Sequence, residues 1–136
     1  MTSSGYYSEP SINNRHIVFV SDDDLWQMDL DTNQTFRLST LRGIPKTPKF
    51  SPSGKLIAYS SDESGEREIH LIPKEGGTPT RLTFMGNCSL VGWKDDQTIL
   101  FRSTYESFHR GIHFLYTMNI KTKEFLPTKP RRRSFK

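Results

Sequence analysis

Cysteine is nearly absent: Cys88 is the single thiol in 136 residues. That excludes an internal disulfide and a cysteine-built metal cluster. Alanine is as scarce, Ala58 being the only one, and a chain without alanine is poorly suited to helices. No apolar run approaches the roughly 20 residues of a membrane-spanning helix. The start Met1-Thr2-Ser3-Ser4-Gly5 lacks the apolar stretch of a secretory signal. A reducing, cytoplasmic setting is the expectation. The apolar share is low at 33%, yet aromatics reach 12%, which argues for a folded, strand-rich chain rather than a disordered one.

Charge is unevenly placed. The whole chain carries +4 at pH 7. Lys121, Lys123, Lys129, Arg131, Arg132, Arg133 and Lys136 stand against a single acid, Glu124, in the last sixteen residues. The body is therefore mildly acidic and the basic character belongs to the end. A basic run of this kind is ordinarily a solvated end, so nucleic acid is not the expected partner.

What the chain has in abundance is internal similarity. Leu38, Leu82 and Leu126 lie 44 residues apart, the first two within Arg37-Leu38-Ser39 and Arg81-Leu82-Thr83. Ile17-Val18-Phe19-Val20-Ser21-Asp22 returns as Ile57-Ala58-Tyr59-Ser60-Ser61-Asp62 and again as Ile99-Leu100-Phe101-Arg102-Ser103. Leu25-Trp26-Gln27-Met28 answers to Ile69-His70-Leu71-Ile72 and Leu115-Tyr116-Thr117-Met118, while Ile12, Phe50 and Trp93 precede polar turns. Pro52 with Gly54, Asp31-Thr32-Asn33 and Gly76-Gly77 suit tight turns.

Each unit reads as four short antiparallel strands, and repeats of about 40 to 45 residues made this way are blades of a β-propeller. The expected fold is all-β: three four-stranded blades over about 6–40, 41–84 and 85–128, followed by a basic tail at 129–136. Strands are expected near 17–20, 25–29, 56–60, 69–72, 99–103 and 114–120. In the second of these, alternation makes Trp26, Met28 and Leu30 the apolar face.

The run Phe50-Ser51-Pro52-Ser53-Gly54-Lys55-Leu56-Ile57-Ala58-Tyr59 resembles the propeller repeat shared by TolB, prolyl-oligopeptidase-type enzymes and tricorn protease. Gly5-Tyr6-Tyr7, Ile17 through Trp26 and Val91-Gly92-Trp93 are more specific, and resemble the first propeller of tricorn protease. The resemblance implies the first three blades of a six-bladed, non-catalytic propeller from a cytosolic serine protease. It implies a role in assembly and in passage of substrate or product. Two other readings stay open: a TolB-like protein-binding propeller, and a nucleic-acid-associated adaptor that uses the tail.

No constellation of residues points to chemistry in this chain by itself. His109 and His113 have metal-binding spacing, but Arg110 replaces the needed Glu and Gly111 disfavours a helix. Asp22-Asp23-Asp24 lacks the EF-hand pattern and is read as a loop relieved by solvent or by Arg42. Cys88 is read as a small buried thiol. No Gly-x-Ser-x-Gly elbow occurs. Trp26, Trp93 and Tyr116 are read as blade-to-blade packing rather than a ligand platform. No catalytic, cofactor or metal residue is named. The expected partners are a second copy or the remainder of a propeller, with peptides as possible guests and no membrane.

Overall fold

The computed structural model describes residues 8–39, 43–105 and 113–128. Among them there is no helix and there are twelve strands in three four-stranded antiparallel sheets. The first sheet is β1 (Ser8–Asn13), β2 (His16–Ser21), β3 (Asp24–Asp29) and β4 (Thr35–Ser39). The second is β5 (Lys46–Phe50), β6 (Leu56–Ser61), β7 (Glu68–Pro73) and β8 (Thr80–Arg81). The third is β9 (Ser89–Asp95), β10 (Thr98–Ser103), β11 (Phe114–Asn119) and β12 (Phe125–Pro127). Every sheet is an up-and-down meander in chain order. The expected strands all appear, extended by a residue at one or both ends except the last, which stops at Asn119.

Local chemistry sets the turns. Asp29 Oδ1 accepts the amide of Asp31 at 2.9 Å, and Asn33 in a left-handed conformation (φ 60°) donates back to the Asp29 carbonyl. Asn119 does the same between β11 and β12, with Lys123 at φ 64°. These short side chains cap a turn by imitating a backbone acceptor. The Asp31 amide, with that of Thr32, both donating to Oδ1, holds the Asp29 carboxyl below the usual carboxylate range. The first strand of every sheet carries a register shift: near Glu9 in β1, near Thr47 in β5 and between Leu90 and Gly92 in β9.

The sheets stack like blades, with β5 against β1 and β2, and β9 against β5, β6 and β7. Strand alternation then divides each sheet's side chains between two neighbours. Between the first and second blades, Val18, Val20, Leu25 and Leu38 meet Phe50, Ile57, Tyr59 and Ile72. Between the second and third, Ala58, Ile69 and Leu82 meet Leu90, Ile99, Phe101, Tyr116 and Met118. Strand β6 shows the division residue by residue: Ile57 and Tyr59 face one seam, and Ala58 faces the other.

Alternation separates the two faces of β3 but does not say which of them the second blade covers. The face of β3 buried against the second blade is Leu25 and Gln27, and the more apolar face of Trp26 and Met28 points the other way. A propeller strand has two packed faces, so the more apolar one need not be the one buried within a three-blade stack. Gln27 is accommodated because its side-chain amide donates to the Lys74 carbonyl across the seam.

Candidate functional site

The densest polar arrangement in the described chain surrounds a buried acid. Glu68 opens β7 and is only 2% exposed. Its Oε1 accepts the Thr83 hydroxyl at 2.6 Å, and its Oε2 accepts the Gly86 amide at 2.8 Å and Arg81 Nη2 at 3.4 Å. Thr83 Oγ1 in turn accepts the Ile69 amide at 2.8 Å. A buried carboxylate is tolerable only with this many donors. Gly86 has φ +83°, and a Cβ there would lie 2.1 Å from Glu66 Oε1. Glycine is thus what lets the loop after β8 fold over the acid.

Cys88 lies beside the same carboxylate, its Sγ 3.5 Å from Glu68 Oε1 and 3.6 Å from the Gly86 carbonyl. Burial, with the Glu68 charge adding to it, pushes the thiol up to about 12. Such a cysteine is almost wholly protonated at neutral pH and is no nucleophile. Ser103 Oγ donates to Gly86 O at 2.8 Å and ties the third blade to this loop. The group works as a pin between two blades.

A second polar cluster faces the first blade. The His70 ring stacks on Tyr59 with centroids 5.5 Å apart, and His70 Nε2 is 3.7 Å from Glu63 Oε2. Burial lowers the His70 pKa, opposed by Glu63, and burial raises that of Tyr59. Among the described residues, Tyr59 Oη and Glu63 Oε1 are buried with no hydrogen-bond partner. Tyr59 and His70 are 0% and 2% exposed, so they are closed to substrate.

The remaining sequence candidates do not converge. Trp93 Nε1 donates to Lys49 O at 3.0 Å across the second seam, and Tyr116 Oη donates to Tyr105 O at 2.7 Å. Trp26 lies at the far side of the first blade, with Nε1 on Ser21 O and the Arg37 guanidinium 5.7 Å above its ring. The three aromatics therefore form no common platform. Asp22 and Asp23 are exposed, while Asp24 faces Arg37 at 3.4 Å. His109, Arg42 and the basic run 129–136 lie outside the described residues, and His113 is exposed. No cluster of three metal-ligating side chains occurs among the described residues.

Among the described residues, two sheet faces meet no other blade. On the first blade, Pro10, Ile17, Phe19 and Met28 line an apolar hollow of about 180 Å³, with Ile12 beside it at 61% exposure. On the third, Leu115 and Leu126 are 42% and 69% exposed.

The profile of the tricorn protease N-terminal β-propeller domain matches residues 4–133. The chain belongs to that family. A tricorn-like protease N-terminal subunit of Sulfurisphaera tokodaii is 33% identical over 132 residues, covering 93% of this chain and 68% of that protein. The chain spans only 10% of tricorn protease homolog 1 of Streptomyces coelicolor, at 33% identity over 102 residues and 74% of this chain. The crystal structure of the tricorn protease superposes with a TM-score of 0.80 at 20% identity, covering 90% of this chain and 13% of that one. A TolB-type protein from Agrobacterium tumefaciens superposes equally well, with a TM-score of 0.80 at 21% identity over 94% of this chain and 47% of that one. At such identities the two structures speak for the propeller fold alone.

The Glu68 pin escaped the sequence reading, although a signal for it was present. An acid precedes the repeated apolar residue in Asp24-Leu25 and Glu68-Ile69, and Arg-Leu-Ser/Thr follows in both units. The same ion pair, acid to arginine at 3.4 Å, recurs in both blades. In the second blade the Gly86 loop buries it.

Proposed function

We propose that this chain is a non-catalytic propeller module of a tricorn-like serine protease, acting in the cytoplasm in assembly and in passage of peptides. The observation that carries this reading is the family match over residues 4–133 to a domain defined as the N-terminal propeller of tricorn protease. The side chains with catalytic potential support it. Glu68 is held by three donors, Cys88 is a high-pKa thiol, and His70 is buried against Tyr59. Among the described residues no helix is long and apolar enough to cross a membrane.

The test uses purified chain and peptides carrying both a fluorogenic amide and a photoreactive phenylalanine. Two results are expected: no hydrolysis above the buffer blank, and cross-links concentrated on β1, β5 and β9, the first strands of the three blades. Hydrolysis that a single serine or histidine substitution abolishes would overturn the non-catalytic reading. Cross-links scattered over the outer strands would overturn the passage role.

A further inference from the structure

The seam between the second and third blades holds a hollow of about 270 Å³ whose charge is of one sign. Lys46 and Thr47 of β5, Ser60 of β6, Arg67 just before β7, Ser89 of β9 and Arg102 of β10 line it, and Leu90 and Val91 form its apolar part. Among the described residues no acid lines it, and Lys46, Arg67 and Arg102 take part in no ion pair. The acids flanking Arg67 in the chain are engaged elsewhere: Glu66 stands against Gly86, and Glu68 is held in its own buried pin. Glu9 comes from the first blade, where its Oε1 accepts the Thr47 amide at 2.7 Å.

The repeat shows how the chain treats the equivalent place between its first two blades. Ser8 pairs with Val20, Lys46 with Ser60 and Ser89 with Arg102, so Glu9, Thr47 and Leu90, which follow in the first strands, are equivalent. In the first seam the chain supplies a carboxylate of its own, Glu9, to the Thr47 amide. In the second seam Thr47 stands at the Glu9 position, and the Leu90 amide is taken by Ser60 Oγ at 2.9 Å. Arg102 stands where the other blades have Val20 and Ser60. An internal anion has thus given way to a ring of cations. Thr47 also holds φ 49°, a left-handed conformation costly for a β-branched residue, and strain of that kind gathers at ligand sites.

The hydroxyls have donors to spare. Ser89 Oγ accepts Arg67 Nη1 at 3.4 Å, which leaves its O–H for another acceptor. Ser60 Oγ accepts the Leu90 amide, and its O–H has only Thr47 Oγ1 at 3.4 Å, which itself donates to the Lys46 carbonyl. Three cations and two such hydroxyls suit an anion with many oxygens: a carboxylate offers two and one charge, a phosphate four and up to two charges. We propose that this hollow binds a phosphate-type oxyanion, either the free ion or the phosphoryl group of a small phosphomonoester. Charge-assisted hydrogen bonds from Lys46, Arg67 and Arg102 supply the affinity. At about 30 Å³ per water, the hollow has room for the anion and several waters. Its walls come from both blades, so the ligand ties the second to the third. This inference goes beyond the protease-module reading and stands independently of it.

The experiment is isothermal titration calorimetry of the full 136-residue chain at neutral pH and low ionic strength, with inorganic phosphate, phenyl phosphate and acetate as probes. Lys46→Ser and Arg102→Ser install the residue that the repeat itself carries at Ser8 and Ser60. Arg67→Gln changes an exposed side chain, and Lys55→Ser removes the same charge outside the hollow. All three sites of the hollow are exposed at their cations, and circular dichroism verifies the fold of each variant. Wild type and the Lys55 variant should bind one equivalent of phosphate, and each of the other three at least about tenfold more weakly. Acetate should bind wild type at least about tenfold more weakly than phosphate. Within a positive result, tighter binding of inorganic phosphate identifies the free ion as ligand, and tighter binding of phenyl phosphate a phosphomonoester. Absence of saturable phosphate binding by wild type overturns the proposal. So does binding that survives the three substitutions, which would place it on the basic run at 129–136, or that falls equally in the Lys55 variant. Acetate binding as tightly as phosphate would replace the phosphate assignment with a carboxylate and overturn it too.

Discussion

Replacing Thr83 by valine isolates the hydrogen bonding of the Glu68 pin from its packing. The two side chains share a shape, and Thr83 is fully buried. Valine removes the acceptor of the Ile69 amide, now at 2.8 Å, and leaves a buried N–H unsatisfied at a cost of about 1–3 kcal/mol. It also removes the 2.6 Å donor to Glu68 Oε1, a charge-assisted bond of about 1.5–3 kcal/mol. Gly86 and Arg81 both sit on the other oxygen, which leaves Oε1 only the weak Cys88 thiol donor at 3.5 Å. Partial relaxation should bring the total to about 3 kcal/mol, a large share of a typical stability of about 5–15 kcal/mol. Thr83→Ser keeps both bonds and loses one buried methyl, costing about 1 kcal/mol. Urea denaturation at one fixed protein concentration reads both variants, fixed because association would add to stability. If valine costs no more than serine at unchanged slope, the carboxylate is not what pins the second blade to the third.

Four further outcomes are expected. Tyr59→Phe deletes a buried hydroxyl that lacks a partner, so it should be neutral or stabilising by up to about 1 kcal/mol, and a loss larger than that in the same urea assay contradicts the geometry. His70 has its folded-state pKa held below 6.5 by burial, so as pH falls below about 6.5 the unfolded chain protonates first and stability drops; His70→Phe should lose that part of the pH dependence, and an unchanged slope between pH 6.5 and 5 would refute it. Cys88, pushed up to about 12, should resist iodoacetamide at pH 8 in the native protein and react fully in urea, whereas rapid native labelling would show an open thiol. Deleting 129–136 should leave the urea midpoint unchanged and abolish heparin retention, and a lower midpoint would make the tail structural.

Strand positions were legible because a strand's pattern is local. The strands expected near 17–20, 56–60 and 99–103 become β2, β6 and β10 within a residue at each end. Turn chemistry is local too, as Asp29 and Asn119 demonstrate by capping their own loops. The Glu68 pin draws on Thr83, fifteen residues away, and on Gly86, eighteen away. Alternation within one strand carries no trace of those partners. Nor does it tell which face of β3 meets the second blade, where a polar Gln27 is buried because an acceptor from that blade, the Lys74 carbonyl, arrives to meet it.

The three equivalent leucines separate what a repeat can state from what it cannot. Leu38, Leu82 and Leu126 share spacing and residue type, and all three lie on or beside a fourth strand. Their exposures are 5%, 2% and 69%. The residue specifies a strand and the face it presents; burial is specified by whichever blade comes next. In an architecture where each unit contacts only its neighbours, stability is approximately a sum of unit and interface contributions. Leu→Ala at Leu82 should therefore cost about 2–5 kcal/mol at any protein concentration. At Leu126 the cost should be small, since surface changes stay within about 0.5 kcal/mol. Urea midpoints of both variants measure that difference. A Leu126 cost as large as that at Leu82 would mean that the neighbouring blade is not what makes the difference.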